Sequence, residues 1–367
     1  MALSTIQPIT LFSHKNMLIN GDLMVDQRAA VSTQTGSGGK KPVDGWVQGQ
    51  SNVGQLVVES YRSTDAPANT GLNRSIKLQV KTPENDLAAN EDLSFETRIE
   101  GHDCQKLMYG TTNAKTTTLS FWVKSSIAGT FAVRIHQEDG TDNISKPYTI
   151  NSADTWEYKT ITYPGNTLAA ITDDSTTGLQ IIWYISIGSD STGGSNGDVW
   201  NHSVTNNIAY GHVTNTHVTT DESTFQLAGV QFEIGHVATP FEFRTFDQAL
   251  AKCQRYLFVQ GGDANYERFA TGYHHTSTQA RCVTFFPVKM RTNPSEPTFD
   301  GGGSVSDLAI ANKNGTATVT SISVDYNSPT VGHVQYFSSG ASLIIPDPCW
   351  IIANNNKNAR LCWSAEL

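Results

Sequence analysis

Short runs of alternating apolar and polar residues recur along this chain and constrain its fold more than any other feature. In residues 75–80 the apolar side chains fall on every second position, the period of a β-strand with one buried face. Similar alternation appears at 93–99, 118–124 and 156–163, whereas 179–187 is almost continuously apolar, as in a strand covered on both faces. The pattern therefore predicts an all-β protein.

Composition agrees with this prediction and excludes some partners. Charged residues make up only 16% of the chain, and Thr, Ser, Asn and Gly take their place, which suits sheets joined by turn-rich loops. The net charge is −9 and there is no run of Lys and Arg, so we expect no nucleic-acid partner. No stretch reaches the roughly 18 apolar residues of a transmembrane helix, and the first residues lack a secretory pattern. We therefore expect assembly in a cytoplasm, without membrane insertion.

Two local features are predicted from spacing. The strands at 118–124 and 129–135 are close enough to form a hairpin around 125–128. One short helix is expected over 245–258, because Thr245 and Gln248 have the spacing of a capping box. Four residues of this helix then fall on one face, namely Phe246, Leu250, Cys253 and Leu257.

Two phrases far apart in the sequence resemble the ends of a known module. The first is Asn-Met-Leu-Ile-Asn-Gly-Asp-Leu-Met-Val-Asp-Gln-Arg at 16–28. The second is Phe-Gln-Leu-Ala-Gly-Val-Gln-Phe-Glu-Ile-Gly at 225–235, continuing through Ala-Thr-Pro-Phe-Glu-Phe-Arg at 238–244 to Cys-Gln-Arg-Tyr at 253–256. Together they resemble the opening and closing strands of a β-jelly-roll module of tail-fibre-like and other structural proteins of bacteriophages, which is akin to carbohydrate-binding domains. We expect these first and last strands to lie side by side.

The resemblance extends to the C-terminal part and organises the whole chain. Segment 285–294 and the ending Ser-Ala-Glu-Leu also resemble phage tail-fibre-like C-terminal domains. The expected architecture is all-β, with an N-terminal jelly-roll β-sandwich, a short linking helix and a smaller C-terminal β-domain. The boundaries are a lead arm at 1–15, the sandwich at 16–244, the helix at 245–258 and the last domain at 259–367. The arm carries four apolar residues that would dock onto another virion protein: Ile6, Ile9, Leu11 and Phe12.

The resemblance implies a non-enzymatic structural protein of a phage virion, of the tail-fibre or appendage type. Its partners would be other virion proteins and host-surface carbohydrate, and its location the virion, after assembly in the host cytoplasm. Analogy with phage fibres favours a homo-oligomer, with a trimer first. Two alternatives stay open: a capsid or neck decoration protein that binds no receptor, and a polysaccharide depolymerase.

The candidate sugar site lies in the long polar segment 188–222. Carbohydrate sites place exposed aromatic faces beside amides and carboxylates. The candidate residues for carbohydrate binding are Trp200, Asn201, His202 and Tyr210. For Trp200 the alternative is packing in the core or at a subunit contact. The tryptophans predicted to be in the core are Trp46, Trp122 and Trp183.

We expect no cofactor, no metal and no catalytic residue. The sequence Asp-Asp-Ser at 173–175 and the segment 190–198 supply oxygens that would suit a structural calcium, but neither follows the EF-hand pattern. The three histidines of the polar segment, at 202, 212 and 217, match no standard zinc spacing. No motif for a hydrolase, metalloprotease or nucleotide-binding enzyme is present. The five cysteines are scattered and are predicted to be buried thiols.

Overall fold

A computed structural model describes residues 14–28, 31–194, 197–202, 205–299, 303–339 and 344–367. The four predicted docking residues of the lead arm, Ile6, Ile9, Leu11 and Phe12, lie outside the described residues.

The described part is almost entirely β-structure, which confirms the predicted fold class. Its helices are α1 (Gly101–Cys104) and α2 (Phe246–Gln254). None of the helices in the described ranges has the length and apolar character needed to cross a membrane. The strands, in chain order, are β1 (Ser32–Thr35), β2 (Gly38–Val43), β3 (Trp46–Ser51), β4 (Val57–Ser63), β5 (Ser75–Thr82), β6 (Asp92–Glu100), β7 (Thr117–Ser125), β8 (Gly129–Gln137), β9 (Asp142–Ile150), β10 (Glu157–Tyr163), β11 (Thr177–Ile187), β12 (Asn201–His202), β13 (Thr224–Ile234), β14 (Leu257–Gly261), β15 (Arg268–Thr276), β16 (Gln279–Phe285), β17 (Thr298–Phe299), β18 (Leu308–Asn312), β19 (Gly315–Val324), β20 (Val331–Ser338), β21 (Pro348–Ala353) and β22 (Arg360–Ser364).

The N-terminal part is a sandwich of two antiparallel sheets. The six-stranded sheet has the order β1-β4-β5-β13-β7-β10, and the seven-stranded sheet the order β12-β9-β8-β11-β6-β3-β2. Alternate residues of both sheets fill the space between them, and Trp46 and Trp183 lie there with ring centroids 5.5 Å apart. These two tryptophans are fully buried, as predicted. Each sheet therefore has one face in the core and one outer face.

The predicted hairpin is wrong, because its two strands belong to different sheets. β7 pairs with β13 and β10 in the six-stranded sheet, whereas β8 pairs with β9 and β11 in the seven-stranded sheet. The Ser125 hydroxyl accepts a hydrogen bond from the backbone N–H of Ile127 at 3.0 Å and fixes the bend between the strands. The chain thus crosses from one layer of the sandwich to the other at 125–128.

The two end phrases meet along β13. The Asn16 side-chain amide donates to the carbonyl of Val230 at 3.0 Å, and its oxygen accepts from the N–H of Phe232 at 3.1 Å. Gly21 passes so close to β13 that a Cβ there would lie 2.1 Å from the Val230 carbonyl oxygen, which no other residue could accommodate. The two phrases therefore lie side by side as expected, but residues 16–28 form turns rather than the predicted opening strand, and the first strand, β1, is separated from β13 by β4 and β5.

The helix forms with its predicted cap, but it is shorter than predicted. Thr245 and Gln248 bond each other's backbone N–H groups as a capping box. The helix ends at Gln254, and Leu257 begins β14 instead, because its backbone joins the ladder with β22. Phe246 is 53% exposed, and the buried face packs Cys253 and Ala249 against Val25. The predicted apolar face is therefore wrong at two positions: Phe246 is exposed, and Leu257 belongs to a strand.

The C-terminal part is a closed six-stranded barrel with a small sheet beside it. The barrel order is β15-β16-β20-β19-β18-β21, and the small sheet is β14-β22-β17. Charged contacts join this part to the sandwich: the buried carboxylate of Glu100 accepts from Arg255 Nε at 2.7 Å and from the Tyr256 hydroxyl at 2.5 Å. All five cysteines are buried thiols, as predicted.

Candidate functional site

Trp200 is a core residue, which corrects the prediction that its ring is exposed for sugar stacking. Its side chain is 8% exposed and packs edge-on against Tyr109, with centroids 5.5 Å apart. Its indole N–H donates to the carbonyl of Pro164 at 2.7 Å. Both the ring face and the polar edge are therefore used within the fold, and no face is left for a sugar.

The other three candidates lie at the edge of the seven-stranded sheet. Asn201 and His202 form β12, which pairs with β9, and the His202 ring nitrogen Nδ1 is 2.8 Å from a carboxylate oxygen of Asp142. Tyr210 is partly exposed and faces Gly197. Sugar binding by these residues stays a prediction, without the tryptophan ring on which it depended.

Segment 188–222 is anchored on both sheets of the sandwich by buried side chains. Ala209 packs against Tyr184 and its neighbours on the outer face of that sheet. His212 Nδ1 accepts from the N–H of Ala132 at 3.1 Å, and His217 Nε2 lies 2.9 Å from the Ser125 hydroxyl. Burial lowers the pKa of His212 to about 4 and that of His217 to about 3. Both rings are therefore neutral packing residues at pH 7.

The acidic segments considered for calcium bond to their own neighbours. Asp173 lies 2.7 Å from His102 Nδ1, and one oxygen of Asp174 accepts from the N–H of Thr176 at 2.8 Å. In the other segment, Asp198 pairs with Lys146. Within the described ranges no three His, Cys, Asp or Glu side chains are grouped for a metal ion. That the protein holds no metal stays a prediction.

A polar groove of about 490 Å³ crosses the outer face of the seven-stranded sheet. It lies over β3, β6 and β11, whose side chains alternate between the core and this face. The cross-strand register places Gly49, Ser94 and Tyr184 in one row and Val47, Glu96 and Ile182 in the next. The outward side chains of β6 are those with even numbers, and four of them line the groove: Asp92, Ser94, Glu96 and Arg98.

The groove exists because its floor is made of very small residues. A Cβ on Gly49 would lie 3.1 Å from the Ser94 hydroxyl, and one on Gly39 would lie 3.3 Å from the carbonyl oxygen of Gln48. A glycine inside a strand gives up side-chain packing, and it is expected where another group must approach the backbone closely. Tyr184, which is 4% exposed, also lines the groove. A ligand in this groove would therefore lie close to the sheet backbone.

The polar groups of the groove are held in a charged network. Glu96 accepts from Arg98 Nη2 at 2.7 Å and from the side-chain amide of Gln180. Burial, and to a smaller extent the nearby charge of Glu96, raises the pKa of Asp92 to about 6, although a hydrogen bond from Ser51 opposes this shift. The groove thus offers carboxylates, a guanidinium, amides and hydroxyls on strands that cannot move independently.

A second positive group lies in the adjacent strand. Arg134 on β8 faces Ile182 across the ladder and is almost fully buried. It lies 3.1 Å from His136 Nδ1, and it is also within hydrogen-bonding reach of the Tyr184 hydroxyl. Burial, followed by the charge of Arg134, lowers the pKa of His136. Arg134 and Arg98 together balance Asp92 and Glu96 in charge.

Sequence reasoning missed this groove, although the sequence carries a signal for it. The run Asp-Leu-Ser-Phe-Glu-Thr-Arg at 92–98 puts every polar or charged residue except Thr97 on one parity. Such a strand predicts one core face and one face rich in hydrogen-bonding groups. The sequence does not show which strands lie beside β6. Its neighbours β3 and β11, which complete the groove, are known only from the order of strands in the sheet.

Comparison with known proteins gives only weak similarities. No protein-family model matches the chain, and no curated protein matches it. Among solved structures, it is similar to the enzymatically active domain of the bacteriophage CBA120 tailspike protein 4, at 13% identity and a TM-score of 0.33, over 60% of this chain and 22% of that one. The aligned region thus spans about a fifth of the tailspike chain.

Two carbohydrate-binding modules are similar at the same low level. One is the family 11 module from Clostridium thermocellum in complex with a beta-1,3-1,4-mixed-linked tetrasaccharide, at 11% identity and a TM-score of 0.29, over 56% of this chain and 99% of the module. The other is TmCBM61 in complex with beta-1,4-galactotriose, at 8% identity and a TM-score of 0.29, over 60% of this chain and 99% of the module. TM-scores this low carry no argument about ligand or site.

Proposed function

We propose that this protein binds a neutral glycan in the groove on the outer face of the seven-stranded sheet. The observation that carries the proposal is the row of hydrogen-bond acceptors and donors along β6, where the carboxylates of Asp92 and Glu96 lie on the same face as the guanidinium of Arg98. Sugar hydroxyls both donate and accept, so they are matched by carboxylates beside guanidinium and amide groups. A strongly anionic or cationic ligand would meet like charge at one end of this network.

The expected affinity of one groove is modest. Tyr184 is almost covered, so the groove supplies hydrogen bonds and little ring stacking. Hydrogen bonds to a ligand replace bonds to water, and their net contribution is small. Useful attachment would then depend on several copies acting together, as in the homo-oligomer expected by analogy.

Binding without hydrolysis is favoured by the spacing of the two groove carboxylates. Asp92 and Glu96 lie on the same face of one strand, four residues apart, and strand geometry separates such residues by about 13 Å along the backbone. Glycosidases hold their two carboxyl groups roughly 5 to 9.5 Å apart across the scissile bond. Glu96 is also engaged by Arg98 and Gln180. This supports a binding role over the depolymerase alternative.

A virion location is part of the same proposal and rests on the resemblance of the two end phrases to phage structural proteins. The meeting of those phrases along β13 supports their role as the closure of a jelly-roll module. A tail position would place the groove on host-surface carbohydrate, whereas a capsid position would favour decoration. Labelled antibody against the protein, imaged on phage particles, separates the two positions.

The binding proposal is tested with an array of purified bacterial surface polysaccharides and neutral oligosaccharides. Arg98→Gln removes one donor of the groove network, and we expect at least about a tenfold loss of affinity, as for a lost hydrogen bond to a charged group. The matched control is Arg74→Gln, a partly exposed arginine that lies outside the groove.

Three outcomes would contradict the proposal in different ways. Equal loss in the Arg98→Gln and Arg74→Gln proteins would mean that binding is nonspecific. No saturable binding to any array member would favour decoration. Release of reducing sugar from a bound polysaccharide would establish the depolymerase alternative.

A further inference from the structure

An aromatic cluster lies on the outer face of the six-stranded sheet, on the opposite side of the sandwich from the groove. Tyr158 on the edge strand β10 is paired directly with Trp122 on β7, and their ring centroids are 5.3 Å apart at 47°. Tyr158 is 45% exposed and Trp122 is half-buried. Trp156 precedes Tyr158 by two residues, so it emerges on the same face. Trp122, Trp156 and Tyr158 form an aromatic platform.

A carboxylate fixes one ring of the platform. The Trp156 indole N–H donates to one oxygen of Asp65 at 3.1 Å, and the other oxygen accepts from Lys124 at 2.9 Å and from Gln226 at 3.1 Å. Burial would raise the pKa of Asp65, but these hydrogen bonds outweigh it and lower that pKa. Asp65 is therefore charged at neutral pH and ties the loop before β5 to Trp156 and β7.

The surroundings of the platform are polar. Thr160 and Thr162 continue the outer face of β10, and they face Ser120 and Thr118 on β7. An interface that buries a large protein surface has an apolar centre with aromatic anchors inside it. Here a small group of rings is bordered by hydroxyls, an amide and one ion pair.

We propose that the aromatic platform is a second saccharide-binding site, which holds a sugar ring by stacking rather than by the polar network of the groove. The C–H face of a pyranose would lie on Tyr158 and Trp122, and its hydroxyls would reach Asp65, Lys124 or Gln226. Aromatic rings with a polar rim provide these two kinds of contact together. The site goes beyond the proposed groove, because it uses the other sheet and does not depend on the groove being occupied.

The two sites would face opposite directions on one rigid sandwich. A single chain could then bridge two saccharide chains, or bind two segments of one long polysaccharide. Such bivalent binding raises the overall affinity without any new contact.

The test is a titration of the full chain with soluble neutral oligosaccharides of β-linked glucose and galactose, followed by tryptophan fluorescence and by calorimetry. We expect a saturable change in fluorescence, because Trp122 and Trp156 leave water when a sugar covers them. Tyr158→Ala should weaken the binding that changes the fluorescence at least tenfold, whereas Lys357→Gln, an exposed residue of the C-terminal part, should leave it unchanged. Tyr158→Phe keeps the ring and should retain most of the binding.

A structural effect of the variants is separated from a binding effect by a second substitution. Trp156→Phe keeps an aromatic ring but removes the donor to Asp65, so it should weaken binding less than Tyr158→Ala while both proteins keep the wild-type unfolding temperature within a few degrees.

The proposal would be overturned if no oligosaccharide changes the fluorescence, or if Tyr158→Ala binds as well as the wild type. It would also be overturned if Tyr158→Ala changes only the oligomeric state, since the platform would then be a contact between copies. Loss of binding in Arg98→Gln alone would support the groove and reject the platform. Loss of the fluorescence change in Tyr158→Ala alone is the expected result; it supports the platform and leaves the groove to be tested on the polysaccharide array.

Discussion

The two outer faces of the sandwich are built from the same strand alternation but present opposite chemistry. On the seven-stranded sheet, Gly49 and Ser94 make a low floor between charged side chains, and segment 188–222 packs over part of the face. On the six-stranded sheet, Tyr158 and Trp122 project at the edge, with hydroxyls around them. The shared core determines the fold, and the outward residues alone distinguish a polar groove from an aromatic platform.

The largest effect is expected at the anchor of segment 188–222. Trp200→Ala removes a buried indole that packs against Tyr109, and we expect a loss of about 3–5 kcal/mol in the free energy of unfolding. Urea unfolding measures this loss. Trp200→Phe should lose less, because it keeps most of the ring packing and gives up the smaller ring of the indole together with the hydrogen bond to Pro164.

The Trp200→Ala protein also tests whether Trp200 is a core residue or a sugar-binding residue. At a temperature where the Trp200→Ala protein is folded, its sugar affinity should equal that of the wild type. A fall in affinity with little loss of stability would restore Trp200 as a binding residue and would undermine the comparison of the two faces.

A smaller effect is expected from His217, whose ring packs against Phe131 and Phe225. Burial lowers the pKa of His217 to about 3, whereas the unfolded chain binds this proton near pH 6.5. The unfolded state therefore binds more protons below pH 6.5, and stability falls as the pH is lowered from there towards 3. At pH 5 the loss from this group is about 2 kcal/mol.

His217→Gln should reduce the slope of stability against pH between 6.5 and 4, as measured by urea unfolding at several pH values. The exposed His275→Gln is the control and should leave the slope unchanged. The pKa of Asp44, raised to about 6 by burial, contributes with the opposite sign, but it is common to all three proteins and cancels in the difference. An unchanged slope in His217→Gln would show that its ring is charged or accessible in the folded state.

These comparisons show which parts of the fold follow from sequence. Alternation identified the strands, and the capping pair Thr245 and Gln248 identified the start of the helix. Alternation did not predict which strands become neighbours in a sheet. The sequence around 125–128 has the pattern of a hairpin between β7 and β8. The structure pairs β7 with β13 instead, so β7 and β8 belong to different sheets.

The candidate site was harder to predict than the fold, because exposure is a tertiary property. Trp200 lies in a polar segment, and the sequence left both an exposed sugar-binding ring and core packing open; the segment folds back and buries the ring. Trp122 was predicted to be in the core, and the structure places it on the outer face. Parity could have given the correct result: Leu119, Phe121 and Val123 are buried on one parity, so Trp122 must point the other way.

The groove can be blocked without damage to the core. Gly49→Val places a side chain on the floor, where the nearest atom to its Cβ is the Ser94 hydroxyl at 3.1 Å. Valine is favoured in strands over glycine, but the Ser94 hydroxyl must move by a few tenths of an ångström to admit its Cβ, so we expect these two effects to offset each other and stability to change little. Sugar binding by the groove should weaken at least about tenfold, a change of roughly 1.4 kcal/mol.

The platform provides the internal reference for this variant. Tryptophan fluorescence changes that depend on Tyr158 should persist in the Gly49→Val protein. If both kinds of binding were lost together while the protein stayed folded, the two faces would form one site rather than two.

The smallest effect is expected from the protonation of Asp92. Burial raises the pKa of Asp92 to about 6, so its carboxyl group is charged above that pH and neutral below it. Hydrogen bonds to a charged acceptor are roughly twice as strong as those to a neutral one, so groove binding should weaken by about three- to tenfold between pH 7.5 and pH 5. Calorimetry at the two pH values measures the change. Asp92→Asn should bind equally at both, with the weaker affinity. If the pH dependence persists in Asp92→Asn, the proton belongs to another group of this face, with His136 beside Arg134 as the first to substitute.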